Sequence, residues 1–396
     1  MSVFILERGI MEKKVFKLNF RGRELVVEHG EVAKQAHGAV LVRYGDTVIL
    51  STSVVSANAN LLSDFFPLMV LYNEKLYSVG KIPGGFIKRE GRPTEAATLA
   101  ARMIDRPLRP LFPEDFRNEV QVVNTVLSVD KDNSPELTAL FGSSLSVSIS
   151  KIPFNGPVAA VKVGRVNGEF IINPTVEQAE VSDIDLTVAG TKEAINMVEA
   201  GAREVSEEDM LEALMFGHEA IKELIQFEEE IIEAIGVEKM EYEKLEISDE
   251  LRQEVDEFCR DRIDAALRIM DKIEKYEAID KIKEDLTDKY KAAYEDNMKP
   301  DEYKELITKV LLVFSDIEYE IFRNITVLEH TRADGRRMDE IRPLSTDIDL
   351  LPRTHGSALF TRGQTQSLAT VTLGALGEHQ ILDGLGRSEE HTSELQ

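Results

Sequence analysis

The segment HGAVLVRYGDTVILSTSV, residues 37–54, occurs a second time in altered form as HGSALFTRGQTQSLATVT, residues 355–372. The two segments align without a gap and share seven of 18 residues, including the leading His-Gly pair and a central glycine. Unrelated segments of average composition share about one residue over this length. The offset of 318 residues is too long for a stacked repeat. We therefore predict two copies of one domain, the second starting near Arg332.

The residues around the first segment predict an α+β fold. Short runs rich in β-branched residues are typical of strands, and apolar residues at helical spacing favour helices. Strands are predicted for VFKLNF, RELVVEH, GAVLVRYG, TVILSTSVV, NEVQVVNTVLSV, GPVAAVKVGRV, EFIINP and SDIDLTVAGT. Helices are predicted from Pro93 to Pro107, over SPELTALFGSSLSVSIS, and from Ser206 to Gly236 with Asp209 in a capping box.

The sequence between the two copies predicts a bundle of helices. Residues 249–327 contain helical patterns and no strand-like run. The overlapping tract 228–257 carries 13 Asp and Glu against three Lys and Arg, a net charge of −10. This charge density favours a solvated helical surface that includes Glu228 and Glu229. An acidic surface that recruits a basic partner is the alternative.

These patterns divide the chain into five segments. The predicted segments are an N-terminal extension (1–12), a first α+β domain (13–237), an all-helical linker domain (238–327), the start of a second copy (328–386) and a C-terminal tail (387–396), for which the family resemblance given below implies a non-native origin.

Composition excludes several classes of protein. Hydrophobic residues make up 43% of the 396, enough for packed cores and too many for a disordered chain. The single cysteine, Cys259, excludes an internal disulfide framework. No apolar run approaches the roughly 20 residues that cross a bilayer, so we expect a cytoplasmic protein with no membrane partner. Sequences typical of P-loops, zinc sites and hydrolase nucleophile elbows do not occur.

The loop GKIPGGFIKREGRP, residues 80–93, concentrates cations in a chain whose net charge is −25. Residues 81–110 carry seven cations and three anions, a local net of +4. Because salt screens surface charge over about 10 Å, a local patch can attract phosphate on an acidic protein. The glycines permit close backbone approach, the following helix start favours an anion, and Phe86 and Ile87 can stack or wedge against a base. The loop is predicted to bind single-stranded nucleic acid or a polyphosphate.

The cations in this region divide into two groups. Lys88, Arg89 and Arg92 lie on the glycine-rich loop and favour ligand binding. The simpler prediction for the other arginines is ion pairing with nearby acids: Arg102, Arg106 and Arg109 with Asp105, Glu114 and Asp115. The serine-rich run FGSSLSVS, residues 141–148, either holds an anion at a helix start or, more simply, provides small residues for close packing.

Long motifs in the chain resemble the bacterial polynucleotide phosphorylases. They are DFFPLMVLYNEKLYSVGKIPGGFIKREGRPTEAATLAARMIDRPLRPLFP, NEVQVV, IPFNGPVAAVKVG and LPRTHGSALFTRGQTQSLATVTLGALG, and the likeness covers residues 13–386. The resemblance implies two ribonuclease-PH-like copies joined by an all-helical domain. It also implies a homotrimeric ring whose channel admits single-stranded RNA.

The chemistry that the resemblance implies is phosphorolysis. Inorganic phosphate attacks the 3′-terminal phosphodiester and releases nucleoside diphosphates, with Mg²⁺ or Mn²⁺ assisting. The reverse reaction polymerises nucleoside diphosphates. Association with a larger RNA-degradation complex is a further possibility for such an enzyme.

The family's loop at the channel mouth, typically Phe-Phe-Arg-Arg, falls on Phe86, Ile87, Lys88 and Arg89, and Arg92 matches a further arginine. Ile87 removes one stacking ring, and Lys88 keeps the charge without the bidentate geometry of arginine. The resemblance implies that these five residues bind RNA.

The same resemblance concerns the metal site. In the family, the metal carboxylates and a lysine precede a Val-Ala-Gly in the second copy. Before Val188-Ala189-Gly190 of the first copy, Asp185 occupies one carboxylate position, Ala179 the other, and Thr187 the lysine position. One carboxylate alone is a poor Mg²⁺ site, so Asp183 and Asp185 are expected to be surface residues. The catalytic and metal-binding residues are expected beyond residue 386.

The final segment RSEEHTSELQ, residues 387–396, has no counterpart in the family and resembles the conceptual translation of a sequencing-library adapter. The expectation is that the natural sequence departs from this chain after Gly386. The sequence favours an enzyme in its intact form. The alternatives are a catalytically inert RNA-binding ring scaffold and an interaction protein that acts through its acidic helices.

Overall fold

The computed structural model describes residues 13–61, 63, 65–84, 86–295, 297–375, 378, 384 and 385. The predicted extension (1–12) and the predicted tail (387–396) lie outside the described residues. The described chain forms two compact units, the first ending at Lys244 and the second beginning at Leu245, with residues 384 and 385 in the first. Among the helices of these ranges, none combines the length and apolar character that a bilayer crossing requires.

The first unit mixes strands and helices, which confirms the α+β prediction. Its strands are β1 (Lys14–Phe20), β2 (Arg23–His29), β3 (Gly38–Tyr44), β4 (Thr47–Ala59), β5 (Leu68–Asn73), β6 (Asn118–Ser128), β7 (Ala159–Val166), β8 (Glu169–Ile172), β9 (Ile184–Gly190) and β10 (Ile195–Ala202). Its helices are α1 (Glu95–Leu108), α2 (Pro135–Ser148), α3 (Val176–Val181) and α4 (Glu207–Ile235).

Two sheets form the framework of this unit. One has the order β1-β2-β3-β4-β6-β5 and the other the order β10-β9-β7-β8. Neighbouring strands are antiparallel except β5 and β6, which are parallel. Helix α2 contributes to both apolar clusters of the unit, with Phe141 and Leu145 in one and Leu140 and Val147 in the other. Because α2 joins two cores, nearly every one of its residues is buried.

The serine-rich run of α2 provides small residues for close packing, which agrees with the simpler of the two predictions for it. A Cβ on Gly142 would lie 2.3 Å from Ser51 Oγ, so only glycine allows β4 to approach the helix this closely. Ser144 is fully buried, and its hydroxyl donates to Glu228 Oε2 at 2.8 Å. Small side chains that hydrogen-bond internally let the helix pass between two cores.

The prediction of a solvated acidic surface is wrong at Glu228. This side chain is 0% exposed, and its Oε1 has no hydrogen-bond partner within the described residues. Burial raises the pKa of the Glu228 carboxyl well above its usual range. Glu229 and Glu230, the next two residues of α4, are exposed. Successive helical residues point about 100° apart, so consecutive glutamates face different directions. Glu228 faces the core, and Glu229 and Glu230 face solvent.

The helix boundaries differ in detail from those predicted. Helix α1 begins at Glu95, two residues after Pro93, because Thr94 is the N-cap and accepts a hydrogen bond from Ala97 N at 3.0 Å. Pro107 lies inside the last turn of α1 and does not end it.

The predicted capping box of α4 forms only in half. Ser206 accepts from Asp209 N at 3.1 Å, but the Asp209 carboxylate lies 2.8 Å from the Arg165 guanidinium and does not turn back to the cap. An ion pair with a half-buried arginine replaces the second half of the box. Helix α3 and strand β10 were not predicted, since neither has a strong apolar pattern.

The second unit contains helices α5 (Asp249–Leu267), α6 (Lys272–Tyr294) and α7 (Pro300–Leu328), followed by strands β11 (Leu344–Ile348), β12 (Gly356–Arg362) and β13 (Thr365–Val371). The wholly helical prediction for 249–327 is confirmed. Acidic side chains of these helices pair with arginines: Arg260 with Asp256 and Glu320, and Arg268 with Asp264 and Glu329. Much of the acidic charge is therefore neutralised within the bundle, which weakens the case for a basic partner.

The repeated segment has the same local structure in both places. Strands β3 and β4 form an antiparallel hairpin, and β12 and β13 form another. The pairings recur 318 residues along the chain: Gly38–Ser53 as Gly356–Val371, Tyr44–Thr47 as Arg362–Thr365, and Val55 N to His37 Nδ1 (3.0 Å) as Leu373 N to His355 Nδ1 (2.9 Å). The two aligned segments thus share a strand register and a side-chain hydrogen bond, which supports the prediction of two copies of one domain.

Candidate nucleic-acid interface

The loop of residues 80–94 exposes several apolar side chains to solvent. It follows β5 and a short turn of 3₁₀ helix at Leu76–Val79, and it leads into α1. Phe86 is fully exposed, while Ile82 and Ile87 are 77% and 76% exposed. Apolar groups gain free energy when they leave water, so three such residues on one loop indicate a surface that contacts a ligand.

The predicted cations of this loop are available for binding. Lys88, Arg89 and Arg92 are exposed, and none has an ion pair or hydrogen bond within the described residues. Lys88 has a φ of +55°, a left-handed conformation that is uncommon outside glycine. Strained backbone of this kind is concentrated at ligand-binding sites. The loop brings the predicted residues together on one exposed segment.

A cleft of about 400 Å³ lies beside the loop. Arg89 and Arg92 line it from the loop, and Tyr72 and Glu74 line it from the end of β5. Burial is the main cause that raises the pKa of Glu74, and a hydrogen bond from Thr94 partly opposes it. The Tyr72 hydroxyl is buried without a hydrogen-bond partner in the described chain. The cleft therefore offers cations at its rim and a polar floor.

The sequence prediction missed Tyr72 and Glu74. The available signal was their position, because Tyr72 is the penultimate residue of β5 and Glu74 directly follows that strand. The predicted contribution of the helix start also needs correction. Thr94 caps α1, and its hydroxyl donates to Glu74 Oε2 at 2.9 Å. A cap and a carboxyl group already occupy that helix end, which leaves the side chains of the loop as the principal anion-binding groups.

The three arginines expected to form ion pairs behave differently from one another. Arg109 pairs with Asp105 at 2.8 Å, as predicted. Arg106 is paired, but with Glu199 on β10 at 3.0 Å. Arg102 is exposed and has no such partner within the described residues, so the ion-pair prediction is wrong for it. The partner of Arg106 was missed because β10 itself was not predicted.

The residues at the family's metal positions do not form a metal site. Asp183 pairs with Arg165 at 2.6 Å, and this arginine holds the pKa of the Asp183 carboxyl below its usual range. The Asp185 side chain is 76% exposed and lies 3.7 Å from Lys162 Nζ. Across the described ranges, no three His, Cys, Asp or Glu side chains come together as metal ligands. A divalent ion needs several oxygen ligands, so these residues do not fit one.

Three family models match successive parts of the chain. The 3′ exoribonuclease family matches with its domain 1 over residues 21–153 and its domain 2 over residues 156–220. The model described as polyribonucleotide nucleotidyltransferase, RNA binding domain, matches residues 250–337. The first two matches cover the unit that carries the cationic loop, and the third covers the helical bundle.

Curated relatives extend this similarity over nearly the whole chain. The polyribonucleotide nucleotidyltransferase of Enterococcus faecalis is 56% identical over 375 residues, which are 95% of this chain and 53% of that protein. The polyribonucleotide nucleotidyltransferase of Bacillus cytotoxicus is 57% identical over 382 residues, which are 96% of this chain and 52% of that protein. The chain spans about half the length of the curated relatives it matches.

Proposed function

The chain belongs to the polyribonucleotide nucleotidyltransferase family, and from this we propose that the whole protein is a phosphorolytic 3′→5′ exoribonuclease. Its substrate is single-stranded RNA. An oxygen of inorganic phosphate attacks the phosphorus of the 3′-terminal phosphodiester, and the bond to the 3′ oxygen of the preceding nucleotide breaks. The products are a nucleoside diphosphate and an RNA shortened by one residue with a free 3′ hydroxyl. The reverse reaction extends RNA.

The observation that carries the proposal for this chain is the exposed, unpaired set of cations beside Phe86. Phosphates along an RNA strand attract lysine and arginine, and bases stack on aromatic rings. Lys88 and Arg89 supply charge next to the exposed ring of Phe86, and Arg92 extends the charge along the cleft. We assign this loop the role of receiving single-stranded RNA. The assignment of Ile87 follows from its position between Phe86 and Lys88.

In this proposal, the residues that catalyse cleavage of the phosphodiester bond lie outside the first copy. Phosphoryl transfer depends on holding phosphate, substrate and charge-stabilising groups together. The first copy offers Asp185, which is largely exposed and lies 3.7 Å from Lys162 Nζ. We therefore expect the Mg²⁺ or Mn²⁺ of the intact enzyme to be held by the second copy, beyond residue 386.

The remaining parts of the proposal concern assembly and setting. We propose a homotrimer whose channel mouth is lined by the loop, because three copies of a cationic loop attract a strand more strongly than one. A cytoplasmic location and participation in an RNA-degradation complex complete the proposal. Sedimentation equilibrium of the whole protein tests the assembly, and a mass other than three subunits contradicts the trimer.

An inert RNA-binding scaffold is the second candidate for the chain as given. The observation that favours it is the ion pairing of Asp183 and the exposure of Asp185, since no carboxylates come together as metal ligands within the described residues of the first copy. In this candidate, residues 1–396 bind RNA and catalyse nothing.

The test is a phosphorolysis assay on two proteins, the whole protein and residues 1–396. Each is incubated with single-stranded RNA, inorganic phosphate and Mg²⁺ or Mn²⁺, and nucleoside diphosphates are separated by chromatography. We expect phosphate-dependent release from the whole protein and none from residues 1–396. Absence of release by the whole protein contradicts the proposed activity. Release by residues 1–396 that disappears with Asp185→Asn places the chemistry in the first copy and overturns this assignment.

A further inference from the structure

The second unit contains a cationic cleft at the start of α6 that is separate from the loop described above. Its volume is about 670 Å³, within the range of small-molecule sites. Five cations and two acids line it: Lys272, Lys275, Arg332, Arg336 and Arg342, with Asp271 and Asp334. The surplus of three positive charges contrasts with a net charge of −6 over residues 250–337. Positive charge is thus concentrated in a concave part of an acidic region.

A single carboxylate lies among three of these cations. Asp334 Oδ2 accepts from Arg336 Nε at 2.8 Å and lies 3.9 Å from Arg342 Nε. Its charge also acts on the nearby ammonium of Lys275. Asp271, the other acid, is the N-cap of α6 and accepts from two backbone N–H groups. Arg332 Nη2 donates to Met338 O and Arg336 Nη1 donates to Glu340 O, each at 2.7 Å. These oxygens are uncharged, so the positive charges of the cleft still outnumber its carboxylates.

Lys275 is the buried member of the group. It is 8% exposed, and its ammonium donates to Ala333 O as its one hydrogen-bond acceptor in the described chain. An ammonium has three donors, so two remain for a ligand. Burial lowers the pKa of Lys275. A buried cation with unused donors is costly unless an anion compensates it.

Two aromatic side chains also line the cleft. Tyr276 is 55% exposed and Phe322 is 37% exposed, and both line the cavity. Lys272 Nζ lies 6.0 Å from the centre of the Tyr276 ring. Gln364 and Thr365, at the turn between β12 and β13, add hydrogen-bonding groups. The cleft combines charge for a phosphate with ring faces for a base.

We propose that this cleft binds a nucleoside phosphate, with the phosphate on the lysine and arginine cluster and the base against Tyr276. The ligand is either a free nucleoside diphosphate or one nucleotide unit of a single-stranded RNA. The proposal does not depend on the cationic loop, because all of the lining residues belong to the second unit.

The test uses binding of ADP and of a single-stranded (rA)₁₂ to the chain of 396 residues, measured by calorimetry. The (rA)₁₂ arm is carried out in a Lys88→Glu, Arg89→Glu background so that the loop does not contribute. The cleft variant is Lys272→Glu with Arg342→Glu, both at exposed positions. The matched control is Lys281→Glu with Arg353→Glu, two exposed cations of the same unit that have no ion pair in the described chain.

We expect the cleft variant to weaken binding of at least one ligand by tenfold or more, and the control to stay within twofold of the parent. Tyr276→Ala should weaken the same ligand by at least fivefold, since stacking on an aromatic ring stabilises a bound base. Binding of ADP identifies a free nucleotide, and binding of (rA)₁₂ alone identifies an RNA-linked one. Failure of the parent to bind either ligand, or equal loss in cleft and control variants, overturns the proposal. If RNA binding by the cationic loop fails while the cleft binds as proposed, the fold-changes expected for the cleft and control variants stay the same.

Discussion

Glu228 shows how one residue couples the folding of the first unit to pH. Its carboxyl is buried against Ser144, and the pKa of the group is raised by that burial. A carboxyl whose folded-state pKa is raised binds its proton more tightly when folded than when unfolded. Stability is then fully present below the unfolded pKa of about 4.3 and is lost as pH rises from there through the folded pKa.

We predict that Glu228→Gln raises the stability of the first unit at pH 7 by about 1–3 kcal/mol, because folding then requires neither the protonation of a carboxylate nor the burial of its charge. The gain in stability should vanish near pH 4, where the Glu228 carboxyl is largely protonated in both the folded and the unfolded state. Urea unfolding monitored by circular dichroism across pH 4–8 measures it. Glu230→Gln, at an exposed position two residues further along α4, is the control and should change little. Indistinguishable pH profiles for parent and Glu228→Gln would contradict the account.

The burial of Glu228 could not be predicted from composition, which assigns a run of three glutamates to solvent. What decides burial is the angular position of each residue on α4 relative to α2. By contrast, the exposure of Lys88 and Arg89 could be predicted, because glycines and charges on a short connection leave little that can be buried. Tyr72 and Glu74 fall between these cases, since their role depends on how the loop of residues 80–94 folds back beside the end of β5.

At the scale of elements, the repeated hairpin has different surroundings in its two occurrences. A Cβ on Gly38 would lie 1.9 Å from Ser146 O, because α2 packs directly on β3. A Cβ on the equivalent Gly356 would meet nothing closer than Val371 Cβ at 3.6 Å. The strands of the first hairpin were predicted from the local sequence, and the alignment predicted a second copy of them. The contacts of each hairpin come from elements that are distant in sequence, so the alignment could not predict them.

We predict opposite responses to the same substitution at these two glycines. Gly38→Ala should destabilise the first unit by about 1–3 kcal/mol, since the methyl group overpacks the contact with α2. Gly356→Ala should be neutral or slightly stabilising, because alanine restricts the unfolded chain more than glycine does. Urea midpoints of the two variants and the parent provide the comparison. A Gly356→Ala variant as damaged as Gly38→Ala would show that the second hairpin is covered by an element like α2.

For the whole molecule, the distribution of charge matters more than its total. The chain carries a formal net charge of −25, yet several acids of the helical bundle pair with arginines, and Lys88, Arg89 and Arg92 of the first unit have no ion pair within the described residues. The α+β class, the helical bundle and the cationic loop could all be predicted from periodicity and spacing. The proposed function rests on the longer motifs that resemble the polynucleotide phosphorylases. The central claim is that Lys88 and Arg89 contact RNA phosphates.

The salt dependence of RNA binding tests this claim most directly. The affinity of residues 1–396 for a single-stranded oligonucleotide is measured between low and moderate salt, for the parent and for Lys88→Glu with Arg89→Glu. The control is Lys34→Glu with Arg43→Glu, two exposed cations elsewhere in the first unit. Each lost phosphate contact should lower the slope of log affinity against log salt by about 0.7, so the loop variant should lose about 1.4 and the control close to none. Equal slopes for the parent and the loop variant would contradict the assignment of this loop to RNA.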